Sequence, residues 1–536
     1  MNRRKISIVE GFSASEEHRC GYCKSRSSLN HSMWAHSISE TEYQNLIDRG
    51  WRRSGIYLYK PMMRKTCCPL YTIRCDVSEA RLTKSHKKVL KKFNNYIRFG
   101  DTPRKNRQTG APSDASSIED YESADELPPH LALAQSQPAV IDYDKIEVDV
   151  SPSKEGITSK EVINSRMEVE GFQSVPGNES KRKSTINKEE TTQLHGKKFS
   201  HAVSAAGPST EEQGQNAAGT TEDHPKPKKA KLIRLENKYN KLIKRGMSHE
   251  DASQLTYANK NSVQKTSSFD YDSYFPREEE MSSFALRFKT ELVSVSDLKM
   301  DEVLLHKTHK LYEKYQMAVH DDSPEDCSIK QLTRFLIDSP IYDSQPGEGP
   351  PCGFGSFHEQ YWVGDRLIAV GVIDILPKCI SSVYFFYDPE LRFLSLGTYG
   401  CLREIFSTRS LMKVYPPIKY YYLGFYLHSC PKMAYKGKYV PSYLLCPETF
   451  TWHPIEKCRP LLDKSKYSRF ETDLRVENAL KCEVNLEKVG ILYKRQLMSY
   501  HTYKKINYAA NDEGKVKEYA RLVGKDTYHS LFLYRD

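Results

Sequence analysis

Leu367-Ile368-Ala369-Val370-Gly371-Val372-Ile373-Asp374-Ile375-Leu376 is the stretch on which the fold turns. It is apolar save for one late carboxylate, and it reads as a strand. A second strand-like run, Ser382-Val383-Tyr384-Phe385-Phe386-Tyr387, follows closely. Gly400 to Leu411 suits a helix, and Tyr420-Tyr421-Tyr422-Leu423-Gly424-Phe425-Tyr426-Leu427 a buried strand. Upstream, Phe284-Ala285-Leu286-Arg287-Phe288-Lys289 alternates like a strand with one buried face. Val303 to Tyr315 and Lys330 to Ile337 read as helices. This order predicts a mixed α/β (α+β) layout, with helices against a central sheet. Neither GxGxxG nor GxxxxGK[ST] occurs, which argues against dinucleotide-binding and P-loop folds.

Outward from this domain, at 276–536, the composition changes. Residues 101 to about 225 are dominated by Ser, Thr, Glu, Gln, Gly and Pro and lack periodicity, and about 247–275 read as flexible too, so a disordered linker is expected over 101–275. Within it Leu232, Leu235, Tyr239 and Leu242 fall on one helical face, and a strongly basic helix is expected near 226–246, closed by Gly246. Residues 1–100 form a first module. Glu42 to Arg49 is a short helical run closed by Gly50, and Gly55–Tyr59 and Leu70–Cys75 are strands. Lys84 to Arg98 is an amphipathic helix with Val89, Leu90, Phe93 and Ile97 inward; Lys87, Lys88, Lys91 and Lys92 form a solvated or phosphate-contacting face.

That module carries Cys20-Gly21-Tyr22-Cys23 and, after 43 intervening residues, Cys67-Cys68 before Pro69. A CxxC places two thiolates on one turn, and the second pair completes a four-sulfur set for zinc or an iron–sulfur cluster. Ordinary buried thiols are the alternative, since adjacent Cys67 and Cys68 depart from the usual zinc-knuckle spacing. A thioredoxin-like reading fails for want of a surrounding βαβ pattern. Met1 to Glu10 has no apolar run of signal length, and thirteen scattered cysteines fit a reducing compartment. No apolar run reaches membrane-spanning length. The net charge of +11 is compatible with a polyanionic partner. The 35 tyrosines can stack on bases or simply pack a β-rich core.

Longer motifs point further. Gly353-Phe354-Gly355-Ser356-Phe357-His358-Glu359-Gln360-Tyr361-Trp362, Tyr387-Asp388-Pro389 and Tyr421-Tyr422-Leu423-Gly424-Phe425-Tyr426-Leu427-His428-Ser429-Cys430-Pro431-Lys432-Met433 resemble eukaryotic arginyl-tRNA–protein transferases. So do Cys20–Cys23, Asp48-Arg49-Gly50-Trp51-Arg52-Arg53-Ser54-Gly55 and Thr66-Cys67-Cys68-Pro69. The resemblance spans both folded parts and leaves out the linker. It implies that arginine passes from arginyl-tRNA to the α-amine of a protein beginning with Asp, Glu or oxidised Cys, marking it for ubiquitin-dependent degradation in the N-degron pathway. It implies a GNAT-like acyltransferase domain, and an iron–sulfur cluster, zinc or haem at Cys20, Cys23, Cys67 and Cys68. Its partners would be arginyl-tRNA, acid-headed proteins and ubiquitin-pathway recognition components, with no membrane. A cytoplasmic location is expected, and Lys226-Pro227-Lys228-Lys229-Ala230-Lys231 suits a nuclear fraction as well.

The donor is already an activated ester, so the chemistry asks for placement, a neutral amine and donors at the carbonyl oxygen, and needs no cofactor for acyl transfer. In GNAT-like sheets the acyl donor sits where two central strands splay; runs 367–376 and 420–427 are the candidates. Asp374 is expected to face that pocket, binding the arginyl guanidinium or taking the amine proton; the alternative is a structural acceptor. His358 is a candidate base or tRNA contact, or a histidine satisfied by backbone. Gln360 and Tyr361 are polar candidates, and His428 follows the second strand. Lys432 and Lys436 suit the tRNA acceptor end or a solvated loop. Arg52, Arg53 and Arg74 are candidate readers of the acceptor's carboxylate, with surface roles as the alternative. Two rival classes remain. A metal-sensing RNA adaptor without catalysis leaves the C-terminal motifs unexplained. An acetyl-CoA-dependent N-acetyltransferase lacks its pyrophosphate loop between 387 and 400.

Overall fold

The computed structural model describes residues 6–100, 271–344, 347 and 349–536, with a few positions between 239 and 249. The chain falls into two units, Gly171–Ser268 on one side and everything else on the other. Most of the expected linker, and most of its basic helix, lie outside the described residues. Within the smaller unit, residues 239–241, 243 and 244 form a helical turn, and the Tyr239 hydroxyl meets His249 Nδ1 at 2.8 Å.

The larger unit holds two sheets. Its strands are β1 (Ser7–Ala14), β2 (Asn30–Ser37), β3 (Arg52–Ser54), β4 (Tyr57–Pro61), β5 (Tyr71–Asp76), β6 (Phe288–Ser294), β7 (Gly355–Val363) and β8 (Arg366–Leu376). Then come β9 (Cys379–Tyr387), β10 (Tyr420–Tyr426), β11 (Ser442–Leu445), β12 (Trp452–Pro454), β13 (Gly490–Tyr493), β14 (Gln496–Ser499) and β15 (Leu531–Arg535). The larger sheet runs β12-β11-β5-β10-β9-β8-β7-β6, the smaller β14-β13-β15-β1-β2-β4-β3. Both mix the two ends of the sequence. Strand β5 enters the larger sheet between β11 and β10, and β15 pairs in parallel with β1, Ser7 opposite Leu531. The first hundred residues therefore do not close a sheet of their own, although the sequence reads as two successive modules.

Five helices matter here: α1 (Glu40–Ile47), α2 (Lys84–Phe99), α3 (Glu302–Tyr315), α4 (Leu396–Val414) and α5 (Glu513–Val523). The expected helix at 330–337 is a turn of α-helix, Ile329–Leu332, continued by a wider π turn, Thr333–Ile337. Helix α2 is capped at both ends. Thr83 accepts from His86 N–H at 3.2 Å, and Gly100 closes the helix at φ +67°. Its Phe93 stacks on Tyr399 of α4 at 3.8 Å, which fixes both helices on one face of the larger sheet. Helix α3 lies against β8 and β9 on the other face, with Tyr312 edge-on to Phe386. The smaller sheet packs Val9, Met33, Leu58, Ile491 and Leu533 against α1 and α5, through Leu46, Val516 and Tyr519.

One strand differs from its sequence reading. The alternation at 284–289 predicts a strand, but only its last residues belong to one, β6. Ala285 and Leu286 N–H instead donate to the Arg98 and Ile97 carbonyls at 3.1 and 2.9 Å. The last turn of a helix leaves carbonyls without intrahelical donors, and this segment supplies them.

Candidate active site

Strands β9 and β10 run parallel only at Tyr420–Tyr422 opposite Cys379–Ser381. Beyond Ser381 and Tyr422 they part. Gly424, at φ +71°, accompanies a shift in β10's register with β5 between Tyr422 and Phe425. A pocket fills the gap, as expected where central strands splay, but the strands concerned are 379–387 and 420–426, not 367–376. It is lined from both faces of the sheet. Ser382, Phe385, Tyr421 and, on α4, Gly397 and Cys401 line one side; Tyr43, Arg52, Tyr59, Phe335 and Tyr384 line the other. Tyr435 and Lys436 close one edge.

Two cations at this pocket have no carboxylate partner among the described residues. The Arg52 side chain donates only to carbonyls: Trp51 at 2.6 Å, Gly424 at 3.3 Å and Ile47 at 3.4 Å. Its guanidinium lies over Tyr422 and Phe425, its Nε has no acceptor, and burial lowers its pKa. Lys436 is 8% exposed, and a side chain at Gly424 would bring a Cβ to 3.9 Å from its Nζ. Buried cations without anions are costly, so the pocket is poised to take a negative group.

Of the other candidates only Arg53 also touches the pocket, and its charge is already answered. Asp374 is wholly buried and does not line the pocket. Its carboxylate takes a bidentate Arg53 guanidinium (Nε–Oδ2 2.9 Å, Nη2–Oδ1 2.5 Å) and the Ser356 hydroxyl at 2.7 Å. The pocket role expected of Asp374 and the ligand-reading role expected of Arg53 are both displaced by this internal pair. Burial disfavours Arg53's charge, but Asp374 more than offsets it, so its pKa is raised. His358 is fully buried with Nε2 3.2 Å from the Leu336 carbonyl, so that nitrogen carries the proton and donates; burial lowers its pKa to about 4. Gln360 accepts from Trp362 Nε1 at 3.2 Å, and Tyr361 donates to Glu359 at 2.8 Å, both away from the pocket. His428 sits between the Tyr426 hydroxyl at 2.7 Å and Asp463 at 2.8 Å. Arg74 is sandwiched over Tyr420 and Trp452 at 3.6 and 4.0 Å. Lys432 is exposed on the turn after β10. Of the ten predicted catalytic and substrate-binding residues, Arg52 and Lys436 remain as pocket groups with an unmet charge.

Sequence reasoning missed Glu404. It lies one turn beyond Cys401 on α4, fully buried, with the Tyr421 hydroxyl donating to it at 2.6 Å. Gly397, Cys401, Glu404 and Thr408 fall at i, i+4, i+7 and i+11, so a carboxylate on an otherwise uncharged helical stripe was the available signal.

The four module cysteines converge. Sγ atoms of Cys20, Cys23, Cys67 and Cys68 all lie within 4.8 Å of one another, with Cys23 and Cys67 at 3.5 Å. A tetrahedral ion with Zn–S bonds of about 2.3 Å holds its sulfurs about 3.8 Å apart, so the set fits a single soft ion. Ser25 hydrogen-bonds the Cys23 thiol and lowers its pKa to about 6. Cys20 and Cys68 pack with Tyr59, Phe425, Leu427 and Met433, and Tyr22, between the CxxC thiols, itself lines the pocket. The cysteine module thus forms part of the pocket wall.

Comparison with known proteins accords with this geometry. Residues 18–88 match the family model described as the N terminus of arginine-tRNA-protein transferase, and 307–446 match that of its C terminus. Arginyl-tRNA–protein transferase 1 of Drosophila melanogaster is 37% identical over 527 residues, 97% of this chain and 98% of the relative. Arginyl-tRNA–protein transferase 1 of Arabidopsis thaliana is 34% identical over 482 residues, 84% of this chain and 73% of that one. A shorter match, 31% over 140 residues, is to an aspartate/glutamate leucyltransferase of Campylobacter jejuni, covering 25% of this chain and 51% of the relative. Matched in both its N- and C-terminal parts and along nearly the whole Drosophila protein, this chain belongs to the arginyl-tRNA–protein transferase family.

Proposed function

We propose that this protein transfers arginine from arginyl-tRNA to the α-amine of proteins that begin with Asp, Glu or oxidised Cys, and so marks them for ubiquitin-dependent degradation. The observation that carries the reading is the unpaired cation pair, Arg52 and Lys436, at the parted strands. An acidic first side chain would supply the missing anion and bring its own α-amine to the splay. A relative named aspartate/glutamate leucyltransferase shares part of this chain, which supports an acidic acceptor.

The ester of the charged tRNA would enter along the parted strands, with Lys432 on the following turn available to a backbone phosphate. Attack geometry then supplies most of the acceleration. Tyr43, Tyr59 and Phe425 exclude water from the acceptor side, which strengthens the pairing of its carboxylate with Arg52. Cys20, Cys23, Cys67 and Cys68 would hold one tetrahedral ion, with a structural role in keeping Tyr22 and Tyr59 against the pocket.

The test is transfer of labelled arginine from charged tRNA to peptides differing only in residue one. Asp and Glu starts should be modified and a Lys start refused; equal labelling of all three would refute acid reading. Metal analysis of the purified protein should give one thiolate-bound ion per chain, reduced in Cys23→Ser.

A further inference from the structure

A buried carboxylate lies behind the pocket and has no partner cation among the described residues. Glu404 faces β10 through Tyr421, whose hydroxyl donates to it at 2.6 Å, and β9 through Ser382, which hydrogen-bonds it. Strand β8 makes room for it: a side chain at Gly371 would put a Cβ 2.8 Å from Glu404 Oε1. From β7 come Glu359 and Tyr361, and from its own helix Cys401. The nearest arginine on that helix, Arg403, is spent elsewhere, 2.8 Å from Thr290 and 4.0 Å from Glu359. Glu359 by contrast is held by Tyr361, Ser407 and Arg403. Tyr421 and Ser382 line the pocket, so both side chains that hydrogen-bond Glu404 touch the space where substrates would meet.

We propose that Glu404 stores and returns the proton of the transfer reaction, reached from the pocket through the Tyr421 hydroxyl. This rests on the transferase reading above. As the α-amine nitrogen bonds to the ester carbonyl carbon, its proton passes to the Tyr421 oxygen while the Tyr421 proton moves to Glu404. When the carbonyl carbon releases the ribose oxygen of the tRNA, the proton travels back along the same path and leaves as the ribose hydroxyl. The C–N bond formed replaces the C–O bond broken, and Glu404 ends ionised as it began. Glu404 touches no substrate and acts through Tyr421, so it is a positioning and proton-holding residue. Burial, with Glu359 adding to it, pushes the Glu404 carboxyl up to about 8, which suits a group that must both accept and release a proton near neutrality.

The experiment measures kcat at saturating arginyl-tRNA and Asp-headed peptide from pH 6 to 8.5, in H2O and D2O, for the full chain. Wild type should climb through an inflection near pH 8 and be slower in D2O. Glu404→Gln, which keeps the size and a hydrogen-bond acceptor for Tyr421, should be slower by on the order of 100-fold, with no solvent isotope effect and only the acceptor amine's own titration left in its profile. A Glu404→Gln enzyme that keeps the wild-type profile and isotope effect, whatever its absolute rate, overturns the proposal. Should that variant fail to fold, Tyr421→Phe carries the same test with the same expected loss of the isotope effect. A wild-type protein that transfers nothing would count against the proposed function, not the relay.

Discussion

Arg52 and Arg53 are neighbours on one three-residue strand, both buried, and they meet opposite fates. Arg53 is locked across the molecule to Asp374 and Ser356, with its charge matched. Arg52 turns to the parted strands, finds only carbonyls and aromatic faces, and keeps its charge unmet beside Lys436. Successive residues of a strand point to opposite faces, so one dipeptide serves both the frame and the mouth. A charge answered within the protein holds the fold. A charge left unanswered at an opening waits for a ligand.

The largest effect expected from this contrast is at the lock. Asp374→Ala leaves Arg53 buried without its anion and should cost about 3–5 kcal/mol in urea unfolding. The double replacement Arg53→Met with Asp374→Leu should recover much of that loss. A mild Asp374→Ala phenotype confined to kcat would put Asp374 in the chemistry after all.

Next is acid. His358 stands near the lock, and Arg53 adds to the burial that depresses its pKa from 6.5 to about 4. Its folded pKa is lowered, so between those values the unfolded chain takes the proton first. Stability is full above about pH 6.5 and drains by roughly 3 kcal/mol as pH falls towards 4. Denaturant titrations of wild type and His358→Gln over that range should differ in slope, while activity at pH 7.5 changes little. Parallel slopes would mean that His358 is not buried neutral.

At the mouth, Arg52→Gln should raise KM for an Asp-headed peptide roughly 10–100-fold. Its melting temperature should stay within roughly 3 °C of wild type, since no carboxylate is orphaned. A severe melting defect with unchanged KM would make Arg52 a second lock. The smallest change is at the cysteine turn: Tyr22→Ala should raise the same KM roughly threefold and leave the metal content unchanged. No kinetic change would remove the turn from the pocket wall.

The sequence discloses these regions unevenly. Apolar runs betray β8, β9 and β10, and the amphipathic periodicity of 84–98 betrays α2, because those signals are local. The CxxC and its later pair are legible because thiolate chemistry depends on few residues. Asp374 is conspicuous as a lone carboxylate in an apolar strand, yet its partner lies 321 residues away and leaves no local mark. Arg52 and Arg53 are indistinguishable in composition; only register and the splay separate them. Glu404 is hidden more thoroughly, because a carboxylate on a helix is ordinarily taken for the solvent side.

The parallel pairing of β1 with β15 bears on how the protein is made. Ser7 cannot find Leu531 until the ribosome has added more than five hundred residues. At 5–20 residues per second that interval is roughly 25–100 s. Strand β1 leaves the exit tunnel long before β15 exists, and β5 long before either of its neighbours β10 and β11, each with an edge left bare. This architecture commits the nascent polypeptide to a prolonged wait, and chaperones that shelter unpaired strands are its natural attendants during translation.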